Sequence, residues 1–249
     1  WHKKSHSIAT QLGEWCKENN LNFNFDIATK DETKSESLAR EWRYKKLISN
    51  AEKLFIKKPK LKKIYIVTGH TSNDRVETLL LNMSRGSDIS GLCSLSEYRI
   101  FKKNLILVRP ILCFSREETG KICQEMRLPI WEDQSNKNKQ FARNRIREEV
   151  VPILEEIHPG CSLRISSLAE RLNHIKDDQQ SLALLAIRSM TRNNGICRKT
   201  LCELPQSSRQ IILAWWIKHQ NISGLSSNLL QEISKKIEPQ KPPGNIDLP

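Results

Sequence analysis

A four-residue apolar run, Ile64-Tyr65-Ile66-Val67, passes almost directly into the polar decapeptide Gly69-His70-Thr71-Ser72-Asn73-Asp74-Arg75-Val76-Glu77-Thr78. Val76, Leu79, Leu80 and Met83 then recur at helical spacing. The β-branched run has the composition of a buried parallel strand. Thr71 or Ser72 is suited to cap the helix, with Asp74 placed three residues after Thr71 as in a capping box. A strand that turns at once into a helix commits the chain to an α/β fold. It also puts Gly69 and His70 at the carboxyl end of a strand, where open α/β sheets bind ligands. Such a turn, with a histidine, an aspartate and free backbone N–H groups, can hold phosphate and a metal. The same residues allow a plainer arrangement in which Asp74 only caps the helix and His70 packs beside it.

The surrounding pattern supports alternation. Helices are expected over roughly 5–19, 35–54 and 72–84 and from Ser115, with Glu118 at the third position of the last. Strands are expected at 23–27, where Phe23-Asn24-Phe25-Asp26-Ile27 alternates, at 64–67 and at 105–108, all in a parallel sheet with helices on both faces. Residues 86–104 are expected to be irregular. Beyond residue 160 the periodicity becomes helical throughout, through Leu163, Leu168, Leu172 and Ile175, then Ile211, Ile212, Trp215 and Trp216, then Leu229, Leu230, Ile233 and Ile237. The paired tryptophans are expected in a core.

A net charge of +13 points to a polyanionic partner. The basic loop Lys57-Lys58-Pro59-Lys60-Leu61-Lys62-Lys63 is either a solvated loop or an RNA contact through Lys57, Lys58, Lys62 and Lys63. Seven cysteines with no C-x-x-C pair form neither a zinc pattern nor a disulfide framework, which fits a reducing compartment. No apolar run approaches the ~18–20 residues that span a membrane, so no membrane partner is expected.

Further segments carry a resemblance. They are Ala39-Arg40-Glu41-Trp42-Arg43-Tyr44, Arg85-Gly86 with Gly91-Leu92, and Arg109-Pro110-Ile111-Leu112 followed by Ser115-Arg116-Glu117-Glu118. Last come Trp131-Glu132-Asp133-Gln134-Ser135-Asn136, Phe141-Ala142-Arg143-Asn144-Arg145-Ile146-Arg147 and Val151-Pro152-Ile153-Leu154. In this order, and with the GH-x3-D-x2-ET turn, they resemble the tRNA(Ile)-lysidine synthetase family of the N-type ATP pyrophosphatases.

The resemblance implies a parallel-sheet ATP pyrophosphatase domain (adenine nucleotide alpha hydrolase-like) over 1–140, a linker helix over 141–160 and a smaller α-helical tRNA-binding domain over 161–249. It implies a ligase reaction in which ATP adenylates the C2 oxygen of the wobble cytidine of a tRNA(Ile) with a CAU anticodon. Free L-lysine then attacks C2, AMP leaves, and lysidine remains.

Mapped residue by residue, the resemblance makes His70, Asp74, Arg143 and Arg145 catalytic, with Asp74 also a Mg²⁺ ligand. It gives Arg40, Arg43, Gly69 and Thr71 to ATP, and Glu132 and Asp133 to the lysine ammonium. His70 can orient the base or a water, or buttress the loop. A bacterial cytoplasm or plastid stroma is the implied compartment. The family's SGG-x-DS phosphate loop is missing from the sequence, which has no Ser-Gly-Gly. Trp1 resembles a tryptophan downstream of that loop, and prolines 239, 242, 243 and 249 crowd the other end, so both ends are expected to be cut. As it stands the chain is expected to bind ATP poorly and to be inactive alone. Two alternatives remain at this stage: a tRNA thiolase of the same superfamily, against which the missing C-x-x-C counts, and a non-catalytic RNA-binding fragment.

Overall fold

The computed structural model describes residues 5–87, 89–93, 95–131, 141–193, 195–220, 222, 226–238 and 240. They fall into two compact units, Trp1–Glu170 and Arg171–Pro249.

The first unit opens with helix α1 (Ser5–Glu18) and reaches the long helix α2 (Glu36–Lys57). The Ser35 hydroxyl caps α2 by accepting the Leu38 N–H at 3.2 Å. Strand β1 (Ile64–Val67), helix α3 (Ser72–Ser84), the single turn α4 (Ile89–Leu92), strand β2 (Tyr98–Lys102), strand β3 (Leu105–Val108) and helix α5 (Arg116–Glu125) follow. β1 and β3 pair in parallel, Ile64 opposite Leu105 and Val67 opposite Val108. Between them α3 makes the crossover that parallel strands require. Ile66, Leu105 and Leu107 bury one sheet face against Ala51 of α2, with Tyr44, Ile48 and Phe101 filling around them.

Two expectations about strands need correction. The sheet is mixed, in the order β1-β3-β2, because β2 runs antiparallel to β3. It occupies part of the stretch expected to be irregular. Four of its five residues are exposed, so its sequence lacks the apolar run that marks a buried strand. Residues 23–27 form no strand. Phe25 and Ile27 stand 56% and 73% exposed, and Phe23 stacks on Phe25 with ring centroids 6.1 Å apart instead of entering a ladder. Alternation alone supplies no hydrogen-bonding neighbour.

The end of α3 shows why a glycine follows Arg85. Gly86 has φ +70°, and the N–H groups of Gly86 and Ser87 return to Met83 O and Asn82 O at 3.0 and 3.1 Å. This left-handed C-terminal cap is cheap only for glycine. At its other end α3 is tied to the start of α5: Ser72 N–H donates to Phe114 O at 2.9 Å and Arg116 N–H to Asn73 Oδ1 at 2.8 Å. The turn after β1 and the loop after β3 are therefore fixed side by side, both at the carboxyl end of the sheet.

The expected linker is a continuous helical path through α6 (Ala142–Arg145), a π turn at Ile146–Val150 and α7 (Val151–Ile157). Pro152, at the start of α7, has no N–H to give to the preceding turn. The π turn, in which Val151 N–H reaches Ile146 O, sits directly before it.

Helix α8 (Cys161–Met190) is 30 residues long, and the division between the units falls inside it rather than at its start. In the second unit a two-stranded ribbon, β4 (Thr191–Arg192) and β5 (Gly195–Ile196), leads to α9 (Arg198–Cys202), α10 (Gln206–His219) and α11 (Ser227–Lys236). Ile187, Leu201, Ile212, Leu213, Ile217 and Ile233 make its core, with Trp215 and Trp216 packed partly buried against them.

Candidate active site

A cavity of about 680 Å³ opens at the carboxyl end of the sheet. Arg40, Trp42, Arg43 and Tyr44 of α2 line one side. Thr68, Gly69, His70 and Asp74 of the turn after β1 form the floor, and Phe141, Arg143, Asn144 and Arg147 close the third side. Four arginines thus face a space into which two carboxylates, Glu36 and Asp74, also point. A Cβ added to Gly69 would meet only Ile111 Cδ1, at an unstrained 3.7 Å, so packing does not demand glycine there. The missing side chain instead leaves backbone open to the cavity.

The arginines are held from behind. Glu77, one helical turn after Asp74, is buried (side chain 2% exposed) and takes charge-assisted hydrogen bonds on both oxygens. Arg143 Nε donates to Oε2 at 2.8 Å, and Arg147 Nε and Nη2 donate to Oε1 and Oε2 at 2.6 and 2.9 Å. Arg116 Nη2 lies 3.5 Å from Oε1. Asp74 divides its two oxygens between tasks. Oδ2 accepts the Thr71 N–H and hydroxyl at 2.8 and 3.1 Å, and Oδ1 accepts Arg143 Nη2 at 3.0 Å. Burial pushes the Asp74 carboxyl up, but the Thr71 N–H, Arg143 and Arg116 outweigh it and hold it below its ordinary value. Asp74 therefore caps α3 and at the same time orients an arginine.

Behind the floor, Arg109 follows β3, almost fully buried, and donates to Ser96 O at 2.5 Å. Burial lowers its pKa, while a hydrogen bond with the Tyr44 hydroxyl works the other way. The ring of Tyr44 carries the Arg40 guanidinium, with Cζ 5.5 Å from the centroid. Trp42 Nε1 is buried without a hydrogen-bond partner among the described residues.

His70 shares a 2.9 Å hydrogen bond between Nδ1 and Thr68 Oγ1. Burial is the largest influence on it and favours the neutral ring. Asp74 opposes this, Arg109, Arg40 and Arg143 reinforce it, and the pKa falls to about 4. Between that value and the ~6.5 of an unfolded histidine, the unfolded chain binds more protons. The contribution of His70 to stability is complete above pH ~6.5 and is lost as pH falls toward 4. An imidazole NMR titration should show His70 neutral at pH 6, and a midpoint near 6.5 would contradict its environment.

The structure thus brings Arg40, Arg43, Gly69, His70, Asp74 and Arg143 to one cavity. It does not bring Thr71, which is buried with its N–H and hydroxyl both spent on Asp74. Nor does it bring Arg145, which is 65% exposed and pairs with Glu149 at 3.1 Å, one turn along the helix. Helical spacing puts Arg143 and Arg147 on one face and Arg145 on another. Glu132 and Asp133 lie outside the described residues. Lys57, Lys58, Lys62 and Lys63 stand exposed just before β1, at the opposite end of the sheet from the cavity. Sequence reasoning missed Glu77, Arg116 and Arg147 as parts of the site. The four-residue spacing of Arg143 and Arg147 was the available signal.

Among the described residues no three His, Cys, Asp or Glu side chains are grouped to hold a metal ion. The two cavity carboxylates, each touching Arg143, match Mg²⁺ that arrives on phosphate and takes only one or two protein oxygens.

A family profile described as PP-loop domain matches residues 2–154. The chain is 45% identical, over its whole length and 74% of the relative's, to a tRNA(Ile)-lysidine synthase of Prochlorococcus marinus. It is 40% identical, over its whole length and 73% of the relative's, to that of Parasynechococcus marenigrum. It is 34% identical over 95% of its length to the tRNA(Ile)-lysidine synthase of a Synechococcus strain, of which it covers 70%.

Proposed function

Since the chain belongs to the tRNA(Ile)-lysidine synthase family of PP-loop proteins, we propose that this cavity is where ATP activates a tRNA cytidine for attack by lysine. The reaction is the ATP-dependent joining of lysine to C2 of the wobble cytidine of tRNA(Ile). The observation that carries the site assignment is the set of four cavity arginines, two of them clamped by the buried Glu77. Guanidinium groups fixed in advance stabilise charge that appears on phosphate without reorganising at the moment of reaction.

In the first step the C2 oxygen attacks the α-phosphorus and pyrophosphate departs. The transition state spreads negative charge over the phosphoryl oxygens. Arg143 and Arg147 are placed to hold them, with Arg40 and Arg43 opposite. Asp74 would hold Mg²⁺, which would supply further neutralisation of the phosphate charge. In the second step the neutral amine of lysine attacks C2, the C2–O bond breaks and AMP leaves. The amine must shed a proton. The His70 ring, neutral at working pH and bonded through Nδ1 to Thr68, can accept it at Nε2. Glu132 and Asp133 remain the proposed contacts of the lysine ammonium. A compartment that holds tRNA, ATP and free lysine, such as a cytoplasm or plastid stroma, is where this chemistry belongs.

Mass spectrometry of tRNA(Ile) after incubation of the full-length protein with ATP and lysine tests the reading, and unmodified cytidine would refute it. Within the site, Asp74→Asn keeps an acceptor for the Thr71 N–H but removes the charge facing Arg143. It should lower the rate of AMP release roughly 10- to 100-fold, the value of one charge-assisted hydrogen bond. Undiminished turnover would leave Asp74 as a helix cap alone.

A further inference from the structure

The pairing of β1 with β3 brings two separate basic segments together. The last residue of α2 and the loop after it pack five lysines into the seven residues 57–63, with no acidic side chain among them. Ile64 N–H donates to Asn104 O at 2.9 Å, which sets Lys62 and Lys63 beside the β2–β3 turn, where Lys102 and Lys103 stand. All of these lysines are exposed. Lys102 pairs with Glu52, so that carboxylate is already engaged. The carbonyl end of α2 offsets part of the charge near Lys57 and Lys58, but Lys62, Lys63 and Lys103 lie beyond it. Like charges crowded in this way repel one another.

We propose that this lysine edge is a docking surface for the phosphate backbone of the tRNA, remote from the nucleotide that reacts. The inference rests on the reading above that the chain acts on tRNA. The edge lies at the amino end of β1 and β3, whereas the cavity lies at their carboxyl end, about 13 Å of strand away with the sheet between. ATP or lysine in the cavity cannot touch both. A tRNA whose one base enters the cavity must lay the rest of its backbone over the protein surface. Such contacts are made to phosphates by lysine and arginine and carry register rather than base identity. The sequence alone placed Lys57–Lys63 in one loop; the strand register adds the β2–β3 turn and separates both from the catalytic end.

The test compares two quadruple variants of the full-length protein. One carries Lys57→Gln, Lys58→Gln, Lys62→Gln and Lys63→Gln. The other removes the same charge elsewhere, through Lys17→Gln, Lys30→Gln, Lys34→Gln and Lys121→Gln. At about 0.15 M salt the edge variant should bind tRNA(Ile) about tenfold more weakly, and its salt slope should fall by about 3. The control should change affinity less than about threefold. Equal losses in both variants, which would mean net charge alone, overturn the proposal, and so does an unchanged affinity in the edge variant. Lost binding to phosphatidylserine vesicles with intact tRNA binding would assign the edge to a membrane and also overturn it. Lysidine formation by the unaltered protein is measured alongside. If it is absent while the edge variant still loses tRNA affinity, the catalytic reading fails and the docking surface stands.

Discussion

Arg143→Ala should reduce lysine-dependent AMP formation by at least about 100-fold, while Arg145→Ala changes it less than about threefold, although the two arginines are separated by a single residue. Arg143 is 17% exposed and touches three carboxylates: Glu77 at 2.8 Å, Asp74 at 3.0 Å and Glu36 at 3.7 Å. Its guanidinium therefore has one available pose, aimed across the cavity floor beside His70. Among the described residues Arg145 pairs with the exposed i+4 carboxylate of Glu149, and a surface pair of that kind contributes only a few tenths of a kcal/mol. Single-turnover AMP release with tRNA affinity measured in parallel checks the contrast. Both variants should bind tRNA within about twofold of the parent, because a lost phosphate contact in the cavity is one among many along the backbone. Equal losses of turnover would mean that the helix at 142–150 presents a different face to the substrate.

The contrast also marks where the sequence stopped being informative. The GH-x3-D-x2-ET turn was legible because a strand and a helix of opposite periodicity meet there, and only a few residues can sit between them. The motif order gave the family. Motif membership within the RNRIR run did not separate Arg143, which lines the cavity, from Arg145, which does not, because it does not say which face of a helix a side chain occupies. Helix geometry puts Arg143 with Arg147, and the buried Glu77 on α3 decides that this face is the inner one. Thr71 stays out of the cavity lining, and as a capping threonine it spends on Asp74 the N–H that a phosphate would need. Strand β2 escaped notice because an exposed edge strand carries no apolar run, and residues 23–27 misled because alternation without a ladder partner is not a strand. The division between Arg143 and Arg145 turns on a partner distant in sequence, Glu77, whereas the Thr71 cap turns on Asp74, three residues away, and β2 pairs with its neighbour β3.

Glu77 is the sharpest case of such a distant partner, and its replacement should have two separable consequences. Glu77→Ala leaves Arg143, Arg147 and Arg116 clustered without the carboxylate that neutralises them. Removing one member of a buried ionic group costs about 3–5 kcal/mol. The melting temperature should fall by on the order of 10 °C. That result alone would not distinguish a structural role from one in orienting the arginines. Glu77→Gln does. It keeps the volume and one acceptor oxygen but cannot serve both arginines as a charge, so more of the fold's stability survives while the forked contacts to Arg143 and Arg147 loosen. If Glu77 matters only for folding, the glutamine variant, assayed well below its melting temperature, turns over like the parent. If Glu77 sets the pose of the cavity arginines, its kcat falls at least about tenfold even where the protein is fully folded and ATP is saturating. The second outcome is expected. A carboxylate that reaches two cavity-lining arginines through hydrogen bonds of 2.6–2.9 Å fixes their direction as well as their charge, and in phosphoryl transfer direction governs the rate.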